Sequence, residues 1–445
     1  MVNTFTYLNR VFRELKAATN ENPFFLLLLL VLLSIPMQYA INGFAVALFV
    51  FVALLKFKKS AFHFTKSLAY PVLIYLLMAL SICWSQDFAG SFRALSKELP
   101  LMLLPLCFMI IPPFSEDLRQ KTIQYFSGGV VVYIFFYLAK ACFRFASSKD
   151  FNVFFYHELV TEDLNAIHFS ITVAVAFFYF YTKKTKTIFD NLKMVFIAIF
   201  IFLLSSKNIF VLFILLLFFY ELFYFRATPK IKWMVIGLFT LLSFMLLFSN
   251  QISNRFLVEF QSNQHEGTIS KDYGHGVKVY NVSVKQAWEK QKFQQNDYFP
   301  GTAFRVYQIR IFLEMLQQDD LFWTGFGLNA SDFRIEQKGI EHNVYLGDAT
   351  HKGYQKMNFH NQYVQIFAEI GIFGLLLLLI MLFLNLKKAF STKDFVHICF
   401  AILMISLFLT ESFLSRQRGI VFFVSLYCLF NTQTISERTF KNSQK

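Results

Sequence analysis

Apolar residues in this chain are gathered into blocks, at roughly 24–38, 41–55, 67–84, 98–113, 123–142, 166–182, 189–205, 208–225, 233–249, 363–386, 395–412 and 419–431. They do not fall at the three- and four-residue spacing of a helix with one wet face. A helix crosses a bilayer in about 20 apolar residues, and blocks of this kind must bury their whole circumference in hydrocarbon or in other helices. Only helices and closed barrels satisfy every backbone polar group in that setting. The pattern predicts an all-α polytopic membrane protein of about 12 transmembrane helices. Composition agrees: 16% of residues are charged, against about 25% in an ordinary soluble domain. The first two blocks nearly fuse and predict a tight helical hairpin around Gln38 to Asn42.

Short basic loops set the orientation. Lys56, Lys58, Lys59 and Lys66 fill one; Lys183, Lys184, Lys186 and Lys193 fill another. Arg226, Lys230 and Lys232 fill a third, and Lys387, Lys388 and Lys393 a fourth. Their alternation marks them as cytoplasmic, with both termini on the same side. The other face receives the loops near 85–93, 143–165, 205–208 and 411–418, and the long segment 250–362. The expected organisation is nine helices over 1–249, a large extracytoplasmic loop over 250–362, and three helices with a cytoplasmic tail over 363–445. The first block follows Arg10, Arg13 and Lys16 without a small-residue cleavage site, which reads as an uncleaved first helix.

The net charge of +14 raises the question of a nucleic-acid partner. Most of the Lys and Arg sit in the short loops, as topology determinants do, and a nucleic-acid groove is excluded on that ground. The five cysteines, Cys83, Cys107, Cys142, Cys399 and Cys428, lie in or beside apolar blocks without CxxC spacing. They are expected to be buried, inert thiols rather than a disulfide framework or a zinc site.

The long loop is rich in aromatic and charged residues and is no linker. Within it, Ala303 to Leu316 reads as a helix with Val306, Ile309, Leu313 and Leu316 on one stripe and Arg305 and Arg310 on the flanks. Gly325-Phe326-Gly327 then signals a turn. His265, His275, His342 and His351 lie in the same loop without ligand spacing. There is no internal repeat and no matching pair of interrupted helices, the marks of a transporter or lipid-linked sugar flippase.

The loop closes on His360-Asn361-Gln362-Tyr363-Val364-Gln365-Ile366-Phe367-Ala368-Glu369-Ile370-Gly371-Ile372-Phe373-Gly374, which runs into an apolar helix. A His-Asn pair, an aromatic, then Glu-x-Gly-x-x-Gly opening a transmembrane helix resembles the signature of the O-antigen ligase and O-antigen polymerase superfamily. Arg305 with Ile309, followed by Gly325-Phe326-Gly327, looks like that family's loop helix and the glycine pair after it. Ser205-Ser206-Lys207 stands where the family has Ser-Arg, and Thr410-Glu411 through Arg418-Gly419 resembles its short outer loop before the final helix. Two departures stand out. Lys207 keeps the charge of the family's arginine but not its bidentate grip, and 252–300 matches nothing in the pattern.

The resemblance implies a GT-C-like membrane enzyme, metal-independent and without a cofactor. Such an enzyme transfers a glycan from an undecaprenyl diphosphate-linked donor to an acceptor hydroxyl outside the cytoplasm of a bacterial inner membrane. The acceptor would be lipid A-core for a ligase, a new repeat unit for a polymerase, or a protein hydroxyl for an O-oligosaccharyltransferase. That chemistry needs a base for the hydroxyl and cations for the departing diphosphate, both at the outer lipid boundary. His360 is the expected base, since imidazole exchanges protons near neutral pH. Arg305, Lys207, Arg416 and Arg418 are the expected diphosphate ligands, with Asn361, Glu369, Gly371 and Gly374 in support. An unbroken helix turns through about 900° over nine residues, putting Glu369 opposite His360 and Gly371 on the histidine's face. Glu369 is then expected to find its partner in Arg416 or Arg418, and the glycines to allow close helix packing. His168, after the acidic stretch from Glu158 to Asp163, reads as an interfacial residue, with acceptor binding as the alternative.

Overall fold

The computed structural model describes residues 4–59, 62–161, 164–224, 237, 250–264, 268, 278–349 and 351–432. The expected helix at 233–249 (Gly237 apart), the basic loop Arg226, Lys230 and Lys232, and His265 and His275 lie outside the described residues.

The protein is all-α in its membrane part. Helices α1 (Thr4–Glu21), α2 (Phe24–Leu33) and α3 (Tyr39–Leu55) lead into α4 (Lys66–Ser81), α5 (Phe88–Glu98) and α6 (Pro100–Ile110). Next come α7 (Glu116–Ser148), α8 (Tyr156–Val160), α9 (Ala166–Thr182), α10 (Ile188–Leu204) and α11 (Lys207–Phe223). The loop segment contributes α12 (Asn250–Gln264), α13 (Val284–Glu289), α14 (Gly301–Gln318) and α15 (Asp332–Glu341); α16 (Gln362–Thr392), α17 (Phe395–Phe408) and α18 (Gln417–Asn431) close the chain.

Among the described residues, Lys66–Trp84, Glu116–Ser148 and Gln362–Thr392 are long and apolar enough to cross a membrane. Asn9–Glu21 and Phe24–Leu33 are apolar enough together, across a 119° bend that makes them a broken span or a re-entrant loop. Several other apolar helices are shorter, such as α3, α9 and α17, and the chain is a multi-pass membrane protein. The α2–α3 turn occupies Ser34 to Gln38, slightly before the expected position, because Asn42 already lies within α3. There its amide bonds Val31 O at 3.2 Å and Ser34 Oγ at 2.9 Å. Of the cysteines, Cys107, Cys399 and Cys428 are buried but Cys83 and Cys142 are exposed, so the expectation of five buried thiols is corrected for those two.

The loop has a hydrophobic core of its own, built from residues such as Phe293, Phe299, Tyr307, Ile311, Phe312 and Phe359. Its one short sheet pairs Tyr280–Asn281 with Asp297–Tyr298 in parallel. Helix α14 forms where expected, but its buried face is Phe304, Tyr307, Gln308, Ile311, Phe312 and Met315. Of the stripe Val306, Ile309, Leu313 and Leu316, Val306 and Leu316 are only partly buried against this core, Ile309 is half-buried, and Leu313 is exposed. Aromatic residues outcompeted the aliphatic stripe for the core because a ring buries more apolar area per position.

Candidate functional site

His360 is not in the helix that follows it. Its φ of 46° is left-handed, and Asn361 caps α16 by accepting the backbone N–H of Tyr363 at 3.0 Å and of Val364 at 3.1 Å. The sharp turn before the cap swings the imidazole sideways, against the ring of Phe304 at 5.5 Å and toward the loop between α17 and α18. There Nδ1 lies 3.5 Å from Oε2 of Glu411. The other oxygen of Glu411 accepts from Nη2 of Arg305 at 3.0 Å. Arg305 also donates Nε to Thr410 O at 2.8 Å and Nη1 to Gly301 O at 2.9 Å. Three of its five donors are thereby used.

Glu411 is 6% exposed. Burial would raise its carboxyl, but the hydrogen bond and charge of His360 and the Arg305 guanidinium outweigh it and hold the carboxyl below the ordinary range. It therefore stands as a carboxylate facing Nδ1 of His360. An imidazole so placed keeps its proton on Nδ1 and presents a lone pair at Nε2.

Lys207 opens α11 and extends the cluster. Its ammonium lies 2.9 Å from Oε1 of Glu259 on α12, and Glu259 also accepts the backbone N–H of Thr302 at 3.1 Å. Burial pushes the Glu259 carboxyl up, and Lys207 more than reverses this to leave it lowered. Lys207, Glu259, Thr302, Arg305, Glu411 and His360 thus form one connected polar line where α11, α12, α14 and the outer loops meet.

Glu369 is elsewhere. Helix α16 breaks at Ile370 and Gly371, where φ is −130° and 70°, so the unbroken-helix geometry fails beyond that point. The carbonyls freed by the break accept from the glycine-pair loop: Phe326 N–H to Ala368 O at 2.8 Å and Gly327 N–H to Glu369 O at 2.9 Å. Glu369 itself takes Nε2 of Gln365 at 2.6 Å and the Asn329 backbone, and the cation whose charge reaches it is Lys97. The expected pairing with Arg416 or Arg418 is corrected, because those residues face a different cavity. Gly371 likewise serves the loop: a Cβ there would stand 2.1 Å from Trp323 O. A Cβ on Gly374 would meet side chains of its own helix, Ile370 and Ile366. Gly371→Ala combines that clash with a left-handed φ and is expected to cost about 2–4 kcal/mol, seen as a lowered melting temperature in detergent. Gly128→Ala, where nothing lies within 4 Å, is the control expected to leave it unchanged.

A cavity of roughly 1390 Å³ opens between the α2–α3 turn, α7, α9 and the start of α18. Its walls are apolar, with Leu33, Ile41, Val132 and Phe136, and its polar groups include Lys140, His157, His168, Arg416 and Arg418. No carboxylate lines it among the described residues. Arg418 is buried, donating to Met37 O at 2.6 Å with its guanidinium 4.2 Å over the Tyr39 ring. Lys140 reaches Thr161 Oγ1 at 3.2 Å. Arg416 is exposed and has neither an ion-pair nor a hydrogen-bond partner for its side chain among the described residues.

Sequence reasoning named His360, Arg305 and Lys207 and missed the two carboxylates that connect them. The acidic residue among the basic Arg416 and Arg418 of one short loop was the available signal for Glu411; Glu259 carried none. No curated protein matches the chain. Residues 192–379, a stretch that holds Lys207, Arg305, His360 and Gly371, match the family model described as O-Antigen ligase, and the match supports the O-antigen ligase and polymerase superfamily.

Proposed function

We propose that this protein is a ligase that moves a completed glycan from undecaprenyl diphosphate to a hydroxyl of lipid A-core at the periplasmic face of a bacterial inner membrane. The observation that carries the reading is the cavity, with apolar walls for a polyprenyl chain and Lys140, Arg416 and Arg418 as cations for a diphosphate. The acceptor hydroxyl gives its proton to Nε2 of His360 as its oxygen bonds to the anomeric carbon. The bond from that carbon to the diphosphate oxygen breaks, and its electrons leave on undecaprenyl diphosphate. Arg416 and Arg418 stabilise that departing charge, while Glu411 and Arg305 hold the imidazole in register. Twelve spans with both termini in the cytoplasm and 250–362 outside accompany this reading, supported by the alternating basic loops.

The test is the length ladder of surface polysaccharide in cells lacking the protein. Ligase loss leaves lipid A-core bare while long carrier-linked glycan accumulates. Core bearing a single repeat unit would instead identify a polymerase, and an unchanged ladder would overturn the enzymatic reading. Arg416→Ala removes a cation with no structural partner, so it is expected to weaken the donor with little change in folding. Roughly a tenfold rise in the donor KM, from the loss of one charged hydrogen bond, checked against an unchanged melting temperature, is the outcome expected.

A further inference from the structure

His168 has an environment that a packing histidine does not need. It lies in the first turn of α9, is 9% exposed, and lines both the large cavity and a small void beside it. Its ring sits 4.3 Å from Phe413, which fixes the ring plane. Neither ring nitrogen has a hydrogen-bond partner among the described residues. The ring nitrogens are not among the fully buried polar atoms, so a ligand in the cavity that His168 lines can reach them. The charged and titratable groups acting on the ring are Glu411, Arg416, Arg418 and His157, and three of these also line the cavity. The start of α9 adds to the same field, because Asn165, which caps the helix, lines the cavity as well.

We propose that His168 is a direct ligand of the donor's diphosphate, donating a ring N–H to a phosphate oxygen from the closed side of the cavity while Arg416 approaches from the open side. The inference rests on the transferase reading above and adds to it a second histidine with a different duty. His360 serves the acceptor hydroxyl, and His168 serves the leaving group.

The test uses the full-length protein in detergent with farnesyl diphosphate as the soluble probe. His168→Leu keeps the volume and removes the donor; His168→Gln keeps an N–H. Where the leucine variant does not fold, His168→Met replaces it. The apolar variant is expected to bind the probe roughly ten- to a hundredfold more weakly, the weight of a charge-assisted hydrogen bond, with the glutamine variant in between. In transfer assays the donor KM rises and the acceptor KM stays. Wild-type affinity in a folded apolar variant overturns the role of His168 and leaves the transferase reading standing, provided Arg416→Ala still weakens binding. Failure of the wild type to bind any polyprenyl diphosphate overturns both.

Discussion

Replacing His360 with alanine at matched expression is expected to abolish glycan transfer while leaving the protein folded and able to bind its donor. The imidazole is half-exposed and outside α16, so its loss removes little packing; Phe304 is its only ring neighbour among the described residues. What is lost is proton transfer from the acceptor, roughly a factor of 10²–10⁴. Three readouts check this: the surface-polysaccharide ladder, single-turnover transfer with purified protein, and the melting temperature. Retention of more than a tenth of wild-type transfer would remove His360 from the chemistry. Loss of donor affinity in the same variant would instead move its role to the donor side.

The second large effect is expected at Glu411. Glu411→Gln keeps the shape and an acceptor for Arg305 but removes the charge that holds the proton on Nδ1 of His360. Transfer is expected to fall by roughly a hundredfold, the scale seen when an orienting partner of a functional histidine is removed. Glu411→Ala also strands the Arg305 guanidinium and is expected to cost about 3 kcal/mol of stability. The pH dependence has a defined sign. The carboxyl is held below its ordinary value in the folded protein, so its contribution is fully present above the unfolded-state value and is lost as pH falls through the lowered folded one. The wild-type melting temperature should therefore drop on acidification in a step that Glu411→Gln lacks. A glutamine variant with wild-type transfer, or the same acid profile as wild type, would show that Glu411 does not orient the base.

These two residues differ in how far the sequence reveals them. His360 is legible because its signal is local: a loop end, an Asn cap and an apolar helix in unbroken succession. Arg305 is legible for the same reason, since its helix and the glycine pair after it are continuous in the chain. Glu411 lies 106 residues from Arg305, and Glu259 lies 52 residues from Lys207. No period or spacing in either segment encodes the other. The Gly371 reading failed at a smaller scale. It assumed a regular helix through Gly371, and the break there depends on the glycine-pair loop, some forty residues upstream, arriving to bond the freed carbonyls of Ala368 and Glu369. The α14 face failed similarly, since Val306 and Leu313 match a helical stripe as well as Tyr307 and Ile311 do.

The sequence by itself determined that this chain is a helical membrane protein in which His360 stands on the threshold of a helix. Those properties follow from hydropathy and capping, which act over a few turns of chain. Only the tertiary structure decided what stands beside His360. It put Glu411 between His360 and Arg305, tied Lys207 to Glu259, and turned Arg416, Arg418 and His168 toward a shared cavity. A charge buried at the lipid boundary must find its partner wherever packing brings one, and packing is a property of the whole bundle.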